Sequence, residues 1–405
     1  MIAFLRRIST RRLIAICVAA AAVGAGSAAI ALAATGGGPT PPPKDLSVAI
    51  HDALTAPKVD GVTARIKFTN HLVSSSDVRG GSPLLNGASG RLWATSDGRF
   101  RLELQADAST EGATSDSQVL SDGHTVTVFD SSTNTAYKAD LPKGRAGRSD
   151  AGSQDQPPSI AKIQKDLNRL MQHAALSGAQ PTDVAGQPAY TVRVEPKRNG
   201  GLVGGVELAW DAVRGTPLRA AVDAKGDSSP VLQLEVTDIS YGPVDSSVFD
   251  VSPPAGAKVT DLSAHQGARS SAQGESRDAA PVTGTQQVQQ AVPFQLSAPD
   301  SLAGRQRSEV RLVHSGKDPA ALVTYGRGLA GIAVIERAAD PQSGSQSAGG
   351  DQGGPSLPAV TVNGAQGQEL VTPLGTMIDF QRAGVDYTVI GSVASGTAMA
   401  AAQGL

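Results

Sequence analysis

Histidine serves as general base and metal ligand near neutral pH, and this chain carries it at His51, His71, His124, His173, His265 and His314. The six are dispersed. None has a second histidine or a carboxylate at metal-ligand spacing, so no metal site is expected. His71 reads as a residue on the polar face of a strand and His173 as one on a helix. No Gly-x-Ser-x-Gly elbow is present to raise a serine nucleophile. The single cysteine, Cys17, lies inside an apolar run, preceded by Ile16 and continued by Val18. A lipid-attachment cysteine would follow a small residue and end such a run. Beyond that run the chain has no thiol, which excludes disulfides, thiolate zinc clusters and cysteine nucleophiles there. Paired carboxylates remain open, because acid–base pairing is spatial, but no pair stands out.

Two further strings resemble motifs and fail on context. Gly326-Arg327-Gly328-Leu329-Ala330-Gly331 matches Gly-x-Gly-x-x-Gly and follows a strand pattern. A dinucleotide turn needs a helix next, with its N-terminus under the pyrophosphate. Ile332-Ala333-Val334-Ile335-Glu336 reads as another strand, so the hexad is expected to be a hairpin turn. Asn134 and the acidic residues near it lack the ligand spacing of a calcium loop and read as a turn. The expectation is a protein that is not an enzyme and holds no cofactor.

Charge narrows the class further. The 405 residues carry 35 Lys+Arg against 37 Asp+Glu, a formal net charge of −2, and a nucleic-acid partner would demand a basic face. Arg6, Arg7, Arg11 and Arg12 precede an uncharged run over 13–34, long enough for a bilayer, which takes about 20 residues. Residues 1–34 therefore read as a signal or membrane anchor with a cytoplasmic N-terminus. Ala31-Leu32-Ala33 also fits a small-x-small cleavage site, leaving retained anchor and cleaved signal both open. Thr10-Arg11-Arg12 hints at a twin-arginine signal but reads equally as basic flank. Either way the rest of the chain is expected outside the cytoplasm.

The 46 Gly and 25 Pro exceed ordinary usage and gather in segments. Residues 35–44 form a Gly/Pro spacer, 263–291 a polar, unfolded linker, and 144–158 and 341–355 loops. The linker divides the chain into expected domains at 45–262 and 292–405.

The first domain opens with a helix over 45–56, where Leu46, Ile50, Ala53 and Leu54 recur at helical spacing. From Val62 the period changes to two: Val62, Ala64, Ile66 and Phe68 face one way, and Thr63, Arg65, Lys67 and Thr69 the other. The alternation returns at Phe100/Leu102/Leu104/Ala106, Tyr190/Val192/Val194, Val206/Leu208/Trp210, Leu218/Ala220/Val222 and Leu232/Leu234/Val236. A second helix is expected over 159–175, with Ile160, Ile163, Leu167, Leu170 and Ala174 on one side. The fold class is α+β: an antiparallel half-barrel sheet of eight or more strands covered by helices. Such a sheet either packs solid or leaves an apolar cavity. The second domain reads as smaller and β-rich, with strands over 309–314, 321–325, 332–336, 376–381 and 387–392 and a terminal helix over 396–404.

Several strings resemble a known family. Gly90-Arg91-Leu92-Trp93 leading to Asp97-Gly98-Arg99-Phe100-Arg101, then Ser121-Asp122-Gly123-His124-Thr125, is similar to its paired strands and following hairpin. Leu208-Ala209-Trp210-Asp211 with Gly215-Thr216-Pro217-Leu218-Arg219 resembles its "W-x-D…G-x-P-L-R" turn. Phe249-Asp250-Val251-Ser252-Pro253-Pro254-Ala255-Gly256 resembles its domain ending. Together they resemble the bacterial lipoprotein-carrier superfamily of LolA/LolB-like folds. Tyr325 to Val334 and Tyr387 to Val393 resemble the "Y-x-D-G-L-x-x-x-x-V" and "V-T-V-V-G-E-V-P" strings of the two-domain RseB/MucB anti-sigma-factor regulators. Arg327 stands where those regulators often carry Asp, and Ser392-Val393-Ala394 replaces Glu-Val-Pro.

The resemblance implies an extracytoplasmic lipid- or lipoprotein-binding protein, an envelope sensor acting on a membrane partner such as an anti-sigma factor. It also admits a simple lipid or lipoprotein carrier, and an interaction module that holds no ligand. An acyl chain would meet the inward faces of the first-domain strands, with Phe68, Leu92, Phe100, Leu102, Leu104 and Leu234 as candidate lining residues.

Overall fold

A computed structural model describes residues 38–72, 87–106, 116–131, 134–140, 157–198, 200–261, 282–315, 318–339 and 357–405. The run over 13–34 and most of the two expected loops lie outside these residues. Among them no helix is long and apolar enough to cross a membrane. The described strands gather into two sheets, one of thirteen strands and one of eight.

The first helix, α1 (Leu46–Thr55), buries Ala49, Ile50, Ala53 and Leu54. The spacer before it is docked rather than free at its end: the Tyr190 hydroxyl donates to the Pro42 carbonyl at 2.6 Å. Strand β1 (Gly61–Asn70) buries Val62, Ala64 and Ile66 and exposes Thr63, Arg65 and Lys67, the alternation its sequence dictates. It is followed by β2 (Ala88–Thr95), β3 (Phe100–Ala106), β4 (Asp116–Ser121), β5 (Thr125–Asp130) and β6 (Thr135–Asp140). After α2 (Ile160–Leu170) come β7 (Ala174–Leu176), β8 (Gln180–Val184) and β9 (Gln187–Pro196). Then β10 (Val203–Asp211), β11 (Pro217–Ala224), β12 (Pro230–Tyr241) and β13 (Lys258–Asp261) complete this half.

The strand order is β13-β6-β5-β4-β3-β2-β1-β12-β11-β10-β9-β7, with β8 paired to β9. Two antiparallel meanders are thus joined at the centre by β1 and β12, and β13 adds parallel to β6. A bulge between Arg65 and Ile66 interrupts the central ladder, a device that increases local twist and bends a sheet. On the outer face Arg219 reaches Glu207 at 2.9 Å and Glu235 at 3.3 Å, and Arg193 pairs with Glu195 and Asp223. These partly buried pairs line that face with charge.

Helix α2 is shorter than the expected 159–175. Ser159 caps its start by accepting from the Lys162 N–H. Its end at Leu170 is fixed by β-pairing: Ala174 to Leu176 add to β9 opposite Pro196 to Val194, and Ala174 is buried there as sheet. Lys197 holds the turn, its Nζ donating to the Met171 carbonyl at 2.5 Å.

The linker reading over 263–291 also needs correction at its end. Residues 285–291 form α3 (Thr285–Ala291), with Val288 completely buried, and Thr283 bridges Arg311. One valine among glutamines gives no periodic signal, yet it suffices to seat a helix turn on a sheet. The second sheet then runs β14 (Ser301–Leu302), β15 (Arg305–Ser315), β16 (Asp318–Tyr325) and β17 (Ile332–Ala338). It continues with β18 (Ala359–Val362), β19 (Ala365–Thr372), β20 (Gly375–Arg382), β21 (Val385–Gly391) and ends in α4 (Ser395–Gln403). Its order is β14-β15-β16-β17-β21-β20-β19-β18, antiparallel throughout the described pairs. The hexad 326–331 joins antiparallel β16 to β17, as a hairpin connection should.

The second core packs Val323, Tyr325, Val334, Ile378 and Val389 under α3 and α4. It also buries a carboxyl. Glu336 is fully inaccessible; its Oε2 accepts from the Ser297 N–H at 2.8 Å, and its Oε1 has no partner. Burial pushes the Glu336 carboxyl up from 4.5 to about 7, against the Ser297 bond, which pulls it down. Between those values the folded chain keeps a proton that the unfolded chain releases, so stability falls as pH rises through that window. The Tm is expected to drop between pH 4.5 and pH 7, and Glu336→Gln to flatten that drop. Identical slopes in wild type and variant would contradict this account.

Candidate functional site

Period-two alternation and cross-strand register decide which side chains share a face. Phe68 lies opposite Leu234 across β1 and β12. Leu92 on β2 lies between Ala64 on β1 and Leu102 on β3. Phe100 is opposite Ala94, and Leu104 opposite Gly90. All six residues proposed from the sequence therefore stand on one face of the first sheet.

That face is covered unevenly. At one end α1 and α2 pack onto Tyr190, Val192, Leu208 and Trp210. In the middle Val62, Ala64, Ile66 and Leu104 are core, each 9% exposed or less. Phe68, Leu92 and Leu102 are only partly buried against them. Toward the other end the row Ala64, Leu92, Leu102, Val119, Val128 and Tyr137 runs from 2% exposure at Ala64 to 38% at Tyr137. Leu234 is 47% exposed. The face is thus apolar throughout and incompletely covered at that margin.

The helix is locked to the sheet through the β10–β11 turn. Asp211, completely buried, accepts from the Val213 and Arg214 N–H groups at 2.7 and 2.8 Å and from the Tyr241 hydroxyl at 2.7 Å. Burial first, and then that bond, push the Tyr241 phenol well above its ordinary range. Gly215, at φ 66, lets the turn approach the α1 backbone; a Cβ there would collide with the Ala53 carbonyl oxygen.

Comparison with family models gives no match, and neither does comparison with curated proteins. Solved structures do give likenesses. MucB in complex with MucA(peri) is similar at 16% identity over 88% of this chain and 94% of that one, with a TM-score of 0.39. MucB by itself is similar at 16% identity over 88% and 96%, TM-score 0.35. An uncharacterized conserved protein from Thermus thermophilus is similar at 12% identity over 53% and 96%, TM-score 0.31.

A second feature has no counterpart among the residues proposed from the sequence. The outward face of the second sheet carries Ala333, Ile390, Met377 and Leu370 in one register row. This row lines an open groove of 660 Å³ together with residues of the turn 326–331, Leu374 and Ser392. The volume lies within the range of small-molecule sites, about 300–1,000 Å³. The only sequence signal is a single apolar residue, Met377 or Ile390, in the otherwise polar outward phase of each strand.

Ser392 also meets the first sheet. The Leu202 N–H, just before β10, donates to the Ser392 Oγ at 2.9 Å and its carbonyl oxygen at 3.2 Å. Gly201 has φ 62, and a Cβ there would collide with that carbonyl oxygen. Gly201→Ala therefore has to break the contact or distort the turn. Small-angle scattering is expected to show a larger radius of gyration in this variant while both cores keep their far-UV signature. An unchanged scattering profile would remove Gly201 from any role in holding the sheets together.

Proposed function

We propose that this chain is a non-enzymatic, extracytoplasmic lipid- or lipoprotein-binding protein of the RseB/MucB-like branch of the lipoprotein-carrier superfamily. In this reading 45–262 is the ligand-binding domain and 292–405 a coupling domain. The observation that carries it is the half-covered apolar face of the first sheet. Phe68, Leu92, Phe100 and Leu102 stand partly buried beside Leu234 at 47% exposure, instead of being sealed under α1 and α2. An acyl chain laid along this margin would bury apolar area worth about 25 cal/mol per Å².

The regulator role rests on the strings at 325–334 and 387–393, and the partner class, a membrane protein such as an anti-sigma factor, comes with them. The mechanism is differential affinity: ligand and partner each favour one arrangement of the two sheets, and each thereby changes the affinity of the other. The N-terminal run would place the protein at the outer side of the cell membrane, anchored or released after cleavage.

One observation favours the ligand-free interaction module instead. Leu104, one of the six, is only 4% exposed and packs with Ile66 and Val236 as ordinary core. The two readings part on a simple measurement. Protein purified from its native envelope is expected to release acyl chains into an organic extract, about one per chain. Leu234→Asp, at a site exposed enough to spare the fold, is expected to reduce that yield severalfold. An extract free of acyl chains would leave the ligand-free module standing.

A further inference from the structure

The groove on the outward face of the second sheet combines three properties. Its floor is aliphatic, from Leu370 through Met377 to Ile390, and Ile390 is 44% exposed although it lies in the middle of a strand row. Ser308, Thr324 and Thr372 also line it, their hydroxyls bonded to the backbone or to one another. It has one charged lining residue, Arg327, and no acid. The Arg327 side chain is exposed and makes no hydrogen bond or ion pair among the described residues. Two arginines of the same sheet are engaged instead: Arg305 donates to the Ala330 carbonyl at 2.8 Å, and Arg307 pairs with Asp300 at 2.7 Å.

An uncompensated guanidinium beside an aliphatic trough selects a ligand with an apolar tail and one anionic head. A fork of N–H donors matches a carboxylate or phosphate in bidentate geometry, while the trough removes the tail from water. The absence of acidic residues along the groove disfavours a cationic or zwitterionic head placed deeper inside. We propose that this groove is a binding site for a single-chain anionic amphiphile, its head on Arg327 and its tail along Ile390, Met377 and Leu370. The site is separate from the first-sheet face and does not rest on the function proposed above.

The test uses the full chain and calorimetric titration below the micellar concentration, with oleate, oleyl alcohol and oleoyl lysophosphatidate as probes. Oleate is expected to bind one equivalent through the groove, in addition to any acyl chain taken up on the first-sheet face, which Leu234→Asp removes. Arg327→Ala touches no partner, so the fold is safe; it should weaken oleate about tenfold, the scale of losing a charge-assisted bond. Oleyl alcohol should be unaffected by the same change. Ile390→Asp should weaken both, and Leu234→Asp on the first sheet should leave this binding intact. Tighter binding of oleate or of lysophosphatidate, lost in Arg327→Ala, supports the site and names its head group. Oleate affinity unchanged in both Arg327→Ala and Ile390→Asp overturns it, as does binding abolished only by Leu234→Asp. An extended peptide that occupies the groove while none of the three amphiphiles binds overturns it too.

Discussion

The pairing of β1 with β12 is the constraint on which the first half of the molecule depends. It joins residues 61–70 to 232–241, so each meander contributes its first or last strand to the centre of the sheet. Loop-closure entropy opposes such a contact until both meanders have begun to form. The reward is a single face continuous from Trp210 on β10 to Tyr137 on β6. Shifting this ladder by one residue would turn Phe68 and Leu234 to opposite faces and split the apolar surface. The bulge at Arg65/Ile66 permits both requirements: register is kept on either side, and the sheet bends between them.

The second sheet is organised by a different constraint, a polar group inside its core. Glu336 replaces an apolar residue in the inward row of β17, where Ala321 and Tyr387 are its lateral neighbours. Its bond to the Ser297 N–H ties the segment after α3 to the sheet, and the Ser297 hydroxyl donates to the Leu405 backbone oxygen at 3.2 Å. One buried carboxyl thereby holds the chain entering the unit close to the chain leaving it. An isostere lacking the acceptor would leave a buried N–H unpaired, which costs more than an average hydrogen bond contributes.

Much of this is legible in residue order because period two is a strong signal when polar residues fill the second phase. Val62 to Thr69 show this, and the same logic places all six candidate lining residues on one face. Legibility fails where that contrast is missing. Strand β19 reads Ala-Gln-Gly-Gln-Glu-Leu-Val-Thr, with only Ala and Gly against Gln at its start, and its β18 partner is only four residues long. Helix α2 reads too long because Ala174 continues its apolar stripe, and only the distant β9 reveals that sheet pairing takes it. The groove escapes the sequence for another reason: Met377 and Ile390 are lone apolar residues in outward phases that also hold Asp379, Gln381, Asp386 and Thr388, so each strand reads as wet on that face.

Both apolar surfaces meet the same joint. The groove ends at Gly391 and Ser392, and Ser392 receives the Leu202 N–H from the start of β10. β10 in turn carries Leu208 and Trp210, which seat α1 and α2 on the first sheet. The β21 terminus is thus linked through one turn and one strand to the helices packed on the first sheet. Packed interfaces switch between discrete arrangements rather than deforming continuously. A joint made of one bifurcated N–H and a glycine in van der Waals contact is weak enough to be such a switch.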